Sequence, residues 1–225
     1  MKNKRVLVVA AHPDDEMLGC GGTIAKLSKK KCKIFSLFFT DGVSAREKNK
    51  HKEINQRKTN SLKALKVLGV QQSKFLSYPD NSLDKVPLIK IIKEIENIIK
   101  VFKPDTIFTH TNVDLNIDHE IVSRAVITAT RPKPFFCVKN IYLFETLSST
   151  EWNFNFKKKS FNPNFFVDIT KSINIKIKAA KEYKKEINTW PNPRSISGIR
   201  NLAKYRGQSV GVKFAEAFYL LRQIS

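Results

Sequence analysis

The chain has 225 residues and is 41% hydrophobic, enough to bury a full core, and no linker or internal repeat divides it, so one domain over residues 1–225 is expected. Lys and Arg number 41 against 20 Asp and Glu, a formal charge of +21 that favours phosphate, nucleic acid or anionic surfaces. The lysines are scattered, however, without the interleaved aromatics of a nucleic-acid platform, so no nucleic-acid partner is expected.

The apolar run 5–11 reads as a buried strand, and a glycine-rich segment leads from it into helical spacing over 22–30. A strand follows at 33–39, a helix at 53–68, a short strand at 74–77 and a helix at 86–102. Next come a strand at 105–109, a helix at 120–130 and a strand at 140–145. This alternation implies an α/β fold: a three-layer, Rossmann-like sandwich with a mostly parallel sheet between helices. Ligands in such sheets sit beyond the carboxyl ends of the strands, at a switch point in strand order. The carboxy-terminal third is less regular. A lysine-rich helix over 175–187 must break at Trp190-Pro-Asn-Pro193, and a basic loop and helix over 194–207 then leads to 212–221.

Directly behind the first strand stands His12-Pro-Asp-Asp-Glu16, three acidic groups and an imidazole in five positions. Imidazole with carboxylate is the ligand set of a divalent metal. His12 and Asp15, three positions apart, suit a single turn aimed at one ion, which leaves Asp14 free to take a proton from water. The competing reading is that these acids merely cap the next helix. Far downstream, the loop between strand 105–109 and helix 120–130 again holds His and Asp, with His119 where the helix begins. A third ligand from there makes a His/Asp/His set with room for water, the build of a catalytic zinc site rather than a structural one. Because His12, Asp41, Asp80 and His119 each follow a strand-like run, they are expected to converge at the carboxyl ends.

Ala11-His-Pro-Asp-Asp-Glu16 followed by Leu18-Gly-Cys-Gly-Gly-Thr23 resembles the PIG-L/LmbE-like de-N-acetylases, zinc enzymes that deacetylate N-acetylglucosamine-type sugars. The resemblance continues through Thr40-Asp-Gly42, Arg57, Leu68-Gly69, Tyr78-Pro-Asp-Asn81 and Asp114-Leu-Asn-Ile-Asp-His119 to Arg206-Gly207 and Ala215-Glu-Ala-Phe218, covering essentially the whole chain. It implies zinc on His12, Asp15 and His119, with ferrous iron as the alternative metal, and Asp14 as general base. Glu16 would orient the loop without binding metal, and Arg57 and Asp80 would bind substrate; Arg206 is a further substrate-binding candidate, on the chemistry of its guanidinium alone. Many members carry His-x-Asp-His where this chain has Asn116-Ile-Asp118-His119. Asn116 can donate a hydrogen bond to an oxyanion but supplies neither proton nor charge. Either Asn116, with Asp118 beside it, fills that role, or His110 does; for His110 the plain alternative is a packed residue at a strand end.

The implied reaction is hydrolysis of the acetamide of an N-acetylated sugar. Two other readings stand beside it: an amidase of the same fold acting on a non-sugar acyl substrate, and a binding protein that kept the fold without catalysis. The positive charge reads either as compositional bias toward Lys, Asn, Ile and Phe or as a field for an anionic substrate such as a nucleotide-linked sugar. Arg57, Arg194, Arg200 and Arg206 are the candidate anion contacts. Ser148-Ser-Thr-Glu-Trp152 either lines the cleft or is an ordinary turn before a core tryptophan, and the loops 45–51 and 132–137 are expected to shape specificity. Gly19-Cys-Gly-Gly22 lacks a dinucleotide fingerprint and reads as close packing, with Cys20 a small buried side chain. Three cysteines without a framework, no signal peptide and no transmembrane run suggest a cytoplasmic protein. A homo-oligomer is compatible with all of this.

Overall fold

The computed structural model describes residues 4–45, 50–133, 137–154 and 160–225. All of the lysine run 157–159, and residues 46–49 and 134–136 of the two loops expected to shape specificity, lie outside the described residues. Among the described residues one seven-stranded sheet runs in the order β3-β2-β1-β4-β5-β7-β6. Its strands are β1 (Arg5–Ala10), β2 (Lys33–Thr40), β3 (Gln72–Tyr78), β4 (Thr106–His110), β5 (Asn140–Phe144), β6 (Phe165–Asp168) and β7 (Ala215–Gln223). The first five pair in parallel. β7 runs antiparallel to β5 and to the outer strand β6.

Among the described residues six α-helices accompany the sheet: α1 (Asp15–Lys29), α2 (Lys50–Leu68), α3 (Leu88–Phe102), α4 (Ile117–Ala129), α5 (Ile173–Glu182) and α6 (Ile196–Gln208). β1 explains the layering by itself. Its alternate residues face opposite sides, as a strand requires. Val6 and Val8 join a core with residues of α1, α2, α5 and α6, whereas Leu7 and Val9 join one with α3 and α4. Both faces are covered, which is why the central strands read as unbroken apolar runs. The α/β sandwich is therefore as expected, with a mixed far edge. No helix among the described residues is long and apolar enough to cross a membrane.

The departures have local causes. α1 begins seven residues earlier than helical spacing suggested because it is two helices joined at Cys20, whose φ of −143° is not helical. The Glu216 carboxylate on β7 accepts hydrogen bonds from Gly22 N (2.8 Å) and Thr23 N (2.7 Å), capping the second piece. Lys176 Nζ donates to Leu18 O of the first piece (2.7 Å) and to Glu216 Oε1 (2.6 Å). Negative charge at a helix start and positive charge on a helix-end carbonyl both follow the helix dipole. The glycines here serve packing: a Cβ on Gly19 would enter the Phe144 ring, and one on Gly22 would approach Ile169 to 2.8 Å. α5 stops at Glu182, well before the prolines, where Tyr183 leaves helical geometry and points its hydroxyl into the core. β6, four residues at the sheet edge of which three are half-buried and Asp168 is exposed, was not anticipated at all.

Candidate metal and catalytic site

Strand order reverses at β1, which lies between β2 and β4, so the crevice beyond these carboxyl ends is where a ligand belongs. The loop after β1 brings His12, Asp14 and Asp15 there, and the start of α4 brings His119. His12 Nδ1 lies 3.1 Å from Asp15 Oδ2 and 3.2 Å from His119 Nε2, and His119 Nε2 lies 3.3 Å from Asp15 Oδ2. These three residues form one of two groups, among the described residues, whose ligand atoms all fall within 4.8 Å of one another. Asp15 Oδ1 is buried with no hydrogen-bond partner, an uncommon condition that points to a missing partner. Donor type, convergence and this orphaned oxygen all fit a divalent cation.

The outer ring nitrogens meet carboxylates. His12 Nε2 is 2.9 Å from Asp80 Oδ1 and 3.2 Å from Asp118 Oδ2, and these residues form the second group. Asp118 is itself fixed by hydrogen bonds from Asn81 N (2.8 Å) and Leu83 N (2.9 Å). His119 Nδ1 is 3.1 Å from Asp114 Oδ1. Asp114 accepts hydrogen bonds from Thr150 Oγ1 (2.6 Å), Asn116 N (2.9 Å) and Ser149 Oγ. A carboxylate behind an imidazole fixes the tautomer that offers its other nitrogen to metal. Both histidines have this support.

The electrostatics follow. Burial would lower the histidine pKa values, but Asp15 and the outer carboxylates outweigh it, holding His12 well above 6.5 and His119 at about 8. Burial opposes ionisation of Asp15, yet His119, His110 and His12 pull its pKa well below the usual range. Asp114 is likewise held at about 2, its burial outweighed by His119 and the two hydroxyls.

Asp14 stands beside this group in a strained backbone conformation, φ 136° and ψ −23°, rare for a residue with a Cβ and the kind of strain that collects at functional sites. Its Oδ1 lies 2.9 Å from Arg57 Nη2, and its Oδ2 accepts a hydrogen bond from Arg194 Nη1 (3.1 Å). Burial raises its pKa, against the pull of the two arginines. Glu16 accepts hydrogen bonds from Asp14 N (3.0 Å) and Tyr183 Oη (2.5 Å); burial pushes its pKa to about 8. It thus braces the loop from behind, away from the ligand atoms.

Other anticipated residues fall differently. Arg57 is 5% exposed and enclosed by protein, donating to Pro13 O (2.7 Å) and pairing with Asp14 and Glu186. Arg206 makes a two-pronged pair with Glu145, at 2.8 and 2.6 Å. Asn116 caps α4, accepting from Asp118 N (2.9 Å), and donates to Asn81 Oδ1 (2.9 Å). Asp41 holds the turn to Val43 and Ser44. His110 is fully buried and stacks on His119, with ring centroids 3.9 Å apart. Its Nε2 accepts from Ala11 N (3.0 Å), Nδ1 lies 3.3 Å from Thr146 Oγ1, and burial lowers its pKa to about 4. A neutral ring occupied at both nitrogens is a packed backing for His119 rather than an oxyanion donor. Cys20 is buried, donates to Glu16 O and has its thiol pKa pushed up by burial, so it is no nucleophile. Sequence reasoning passed over Asp114 within its motif and could not pair Arg194 with Asp14 across 180 positions.

An α/β sheet with imidazoles and carboxylates gathered at its switch point belongs to the class of proteins able to hold a divalent metal at the strand ends. Residues 7–130 match the family described as PIG-L: GlcNAc-PI de-N-acetylase, and the chain belongs to that family. It is 31% identical to the uncharacterized deacetylase YaiS of Escherichia coli strain K12 over 189 residues, 81% of this chain and 92% of the relative. It is 24% identical to the diacetylchitobiose deacetylase of Thermococcus kodakarensis over 224 residues, covering 95% of this chain and 81% of the other. The N,N'-diacetylchitobiose deacetylase structure from Pyrococcus horikoshii, solved with an inhibitor, superposes with a TM-score of 0.80 at 23% identity, covering 97% of this chain and 84% of that one.

Proposed function

We propose that the protein is a divalent-metal-dependent hydrolase that removes the acetyl group from an N-acetylated amino sugar, either free or within a conjugate. The observation that carries this is the convergence of His12 Nδ1, Asp15 Oδ2 and His119 Nε2 beside a strained, buried Asp14. Those three residues would hold the metal, with the unpartnered Asp15 Oδ1 also available to it. Two imidazoles and one carboxylate suit zinc, and ferrous iron is the alternative. A bound metal would supply Lewis acidity, lowering the pKa of a water toward roughly 7 and polarising the acetyl carbonyl.

Asp14 is the general base. It accepts a proton as water oxygen bonds to the carbonyl carbon, and returns it to nitrogen as the C–N bond breaks, leaving acetate and a free amine. Arg57 and Glu16 act on Asp14 rather than on substrate, fixing its carboxylate and backbone. Asp80 and Asp118 hold the His12 ring, and Asp80, 7% exposed, can also meet a sugar hydroxyl. Asn116 has one amide hydrogen left after Asn81 for the developing oxyanion. Arg206 is engaged by Glu145 and is given no part in the reaction. Two relatives act on diacetylchitobiose by name, which supports an N-acetylglucosamine-type substrate for this chain.

The test is acetate release by zinc-loaded protein from free, glycosidic and nucleotide-linked N-acetylhexosamines, with Asp14→Asn as control. Loss of general-base help costs about 10²–10⁴-fold, so the variant should retain metal and lose turnover by that factor. Near-wild-type activity in Asp14→Asn would refute its assignment. Release from non-sugar amides alone would move the substrate class.

A further inference from the structure

At the opposite end of the sheet from His12, the amino ends of β1 and β4 border a cavity of about 190 Å³ between α1 and the sheet. Its sheet wall is apolar and aromatic, with Val6, Phe108, Tyr142 and Phe165 lining it. Tyr142 stacks on Phe108 with ring centroids 5.0 Å apart and meets Phe165 at 4.8 Å. The helix wall has another character. Thr23, Lys26, Leu27 and the C-cap Lys30 line it, at the spacing of one helical stripe. A stripe laid on a sheet is ordinarily apolar, yet three of these four residues are polar or charged. Lys4, just ahead of β1, adds a third ammonium to the border.

Thr23 supplies a second, independent observation. It is 3% exposed, and its Oγ1 is buried with no hydrogen-bond partner, a condition that costs free energy until a partner is found. A threonine in a helix can return its hydroxyl to the carbonyl four residues back. Thr59, Thr128 and Thr130 do so here, to Asn55 O (2.8 Å), Arg124 O (2.9 Å) and Val126 O (2.7 Å). For Thr23 that carbonyl belongs to Gly19, on the far side of the kink at Cys20, and no such bond forms. The Thr23 N–H is separately taken by Glu216 (2.7 Å). Its hydroxyl therefore stands uncommitted in the cavity wall.

We propose that this cavity binds a small arylcarboxylate, a single aromatic ring bearing one anionic group, at a site separate from the candidate catalytic centre. An apolar cavity of about 150 Å³ accepts benzene, so the larger one here has room for a ring with a short substituent. Phe108, Tyr142 and Phe165 offer that ring stacked and edge contacts. The charge follows from the border. Lys4, Lys26 and Lys30 stand against one carboxylate, Asp168, which already accepts from Thr170 N (2.8 Å). Lys26 Nζ donates to Asp168 O (2.7 Å) and has further hydrogens for a ligand oxygen, with the Thr23 hydroxyl as a neutral donor beside it. A cationic ring would meet three ammonium groups, and a polyol would find mostly aromatic wall. The cavity and His12 are separated along β1 by about 20 Å, at about 3.3 Å per residue from Val6, so the proposal does not rest on the de-N-acetylase reading.

The test is calorimetric titration of the full chain with phenylacetate, benzyl alcohol, benzylamine and acetate, each with zinc present and after chelation. Phenylacetate should bind with a Kd of about 1 mM or tighter, roughly tenfold or more below the other three, and equally in both metal states. Thr23→Val keeps the side-chain shape and removes the hydroxyl. It should weaken phenylacetate about tenfold, the worth of a hydrogen bond to a charged group, while Tm holds or rises because an uncommitted buried hydroxyl is gone. Lys30→Glu, on the exposed border, should weaken binding several-fold with no dependence on core packing. The proposal is overturned if phenylacetate does not bind, if benzyl alcohol binds as well, or if chelation abolishes binding, which would place the carboxylate on the metal. Unchanged affinity in Lys30→Glu or Thr23→Val also overturns it, as does a fall in Tm for Thr23→Val, which would mean that the hydroxyl already has a partner in the protein.

Discussion

Removing the carboxylate behind His119 should weaken the metal site without touching a ligand. Asp114 is 2% exposed, lies 3.1 Å from His119 Nδ1 and accepts from Thr150 Oγ1, Ser149 Oγ and Asn116 N. Asp114→Ala frees the imidazole to rotate or change tautomer, a change that typically costs about 10–100-fold in metal affinity, or about 1.4–2.7 kcal/mol. It also strands two buried hydroxyl donors at about 1–3 kcal/mol each before relaxation and a part-buried backbone N–H, so stability must be separated from affinity. A Ser149→Ala/Thr150→Ala double variant removes two of those donors and keeps the carboxylate. Zinc affinity measured by competition with a chromophoric chelator should fall in Asp114→Ala and hold within about threefold in the double variant, well short of the loss expected for the carboxylate. The reasoning is refuted if Asp114→Ala binds zinc as tightly as wild type, or if the double variant loses as much as Asp114→Ala.

The buried Lys176–Glu216 pair, each side chain 4% exposed, should matter for stability. Breaking such a pair costs about 3–5 kcal/mol, so Glu216→Ala should lower Tm by roughly 6–20 °C, and a shift near zero in calorimetry would show that the kink in α1 needs no cap. The pH dependence of stability should weaken when metal is bound. Folded His119 and Glu16 hold protons up to about 8, beyond the unfolded values of about 6.5 and 4.3. Their contribution is therefore present at lower pH and is lost as pH rises through about 8. Metal-free protein should lose Tm between pH 6.5 and 8, and excess zinc, which binds the deprotonated imidazole, should oppose that loss; a flat metal-free profile would count against the assignment.

The central sheet was legible because its strands are buried on both faces, so β1, β2, β4 and β5 appear as apolar runs bounded by polar loops. His12, Asp15 and His119 were legible for a related reason: each stands where such a run or its following loop ends, and no core role explains them. What escaped was held through space. Arg194 reaches Asp14, and Glu216 reaches Gly22, across most of the chain, and no periodicity encodes such pairs. β6 escaped because four edge residues, three half-buried and one exposed, carry neither a full apolar run nor clean alternation. Arg57 shows the limit of motif transfer: the residue is where the family pattern puts it, but its guanidinium is enclosed by Pro13, Asp14 and Glu186.

The placement of β7 bears on how the molecule is made. His12, Asp15 and His119 have all left the ribosome long before Glu216 is synthesised, yet Glu216 caps the helix that follows the first two. Until β7 arrives, β5 also lacks its antiparallel neighbour and presents an open sheet edge, a template for wrong pairing. The nascent chain therefore carries its candidate ligands for some time on a half-supported scaffold, and long-range closures of this kind are slow. Metal captured early could hold β1 and β4 together during that interval. Recovery of soluble protein would then depend on metal supply during expression, a dependence absent once β7 is in place.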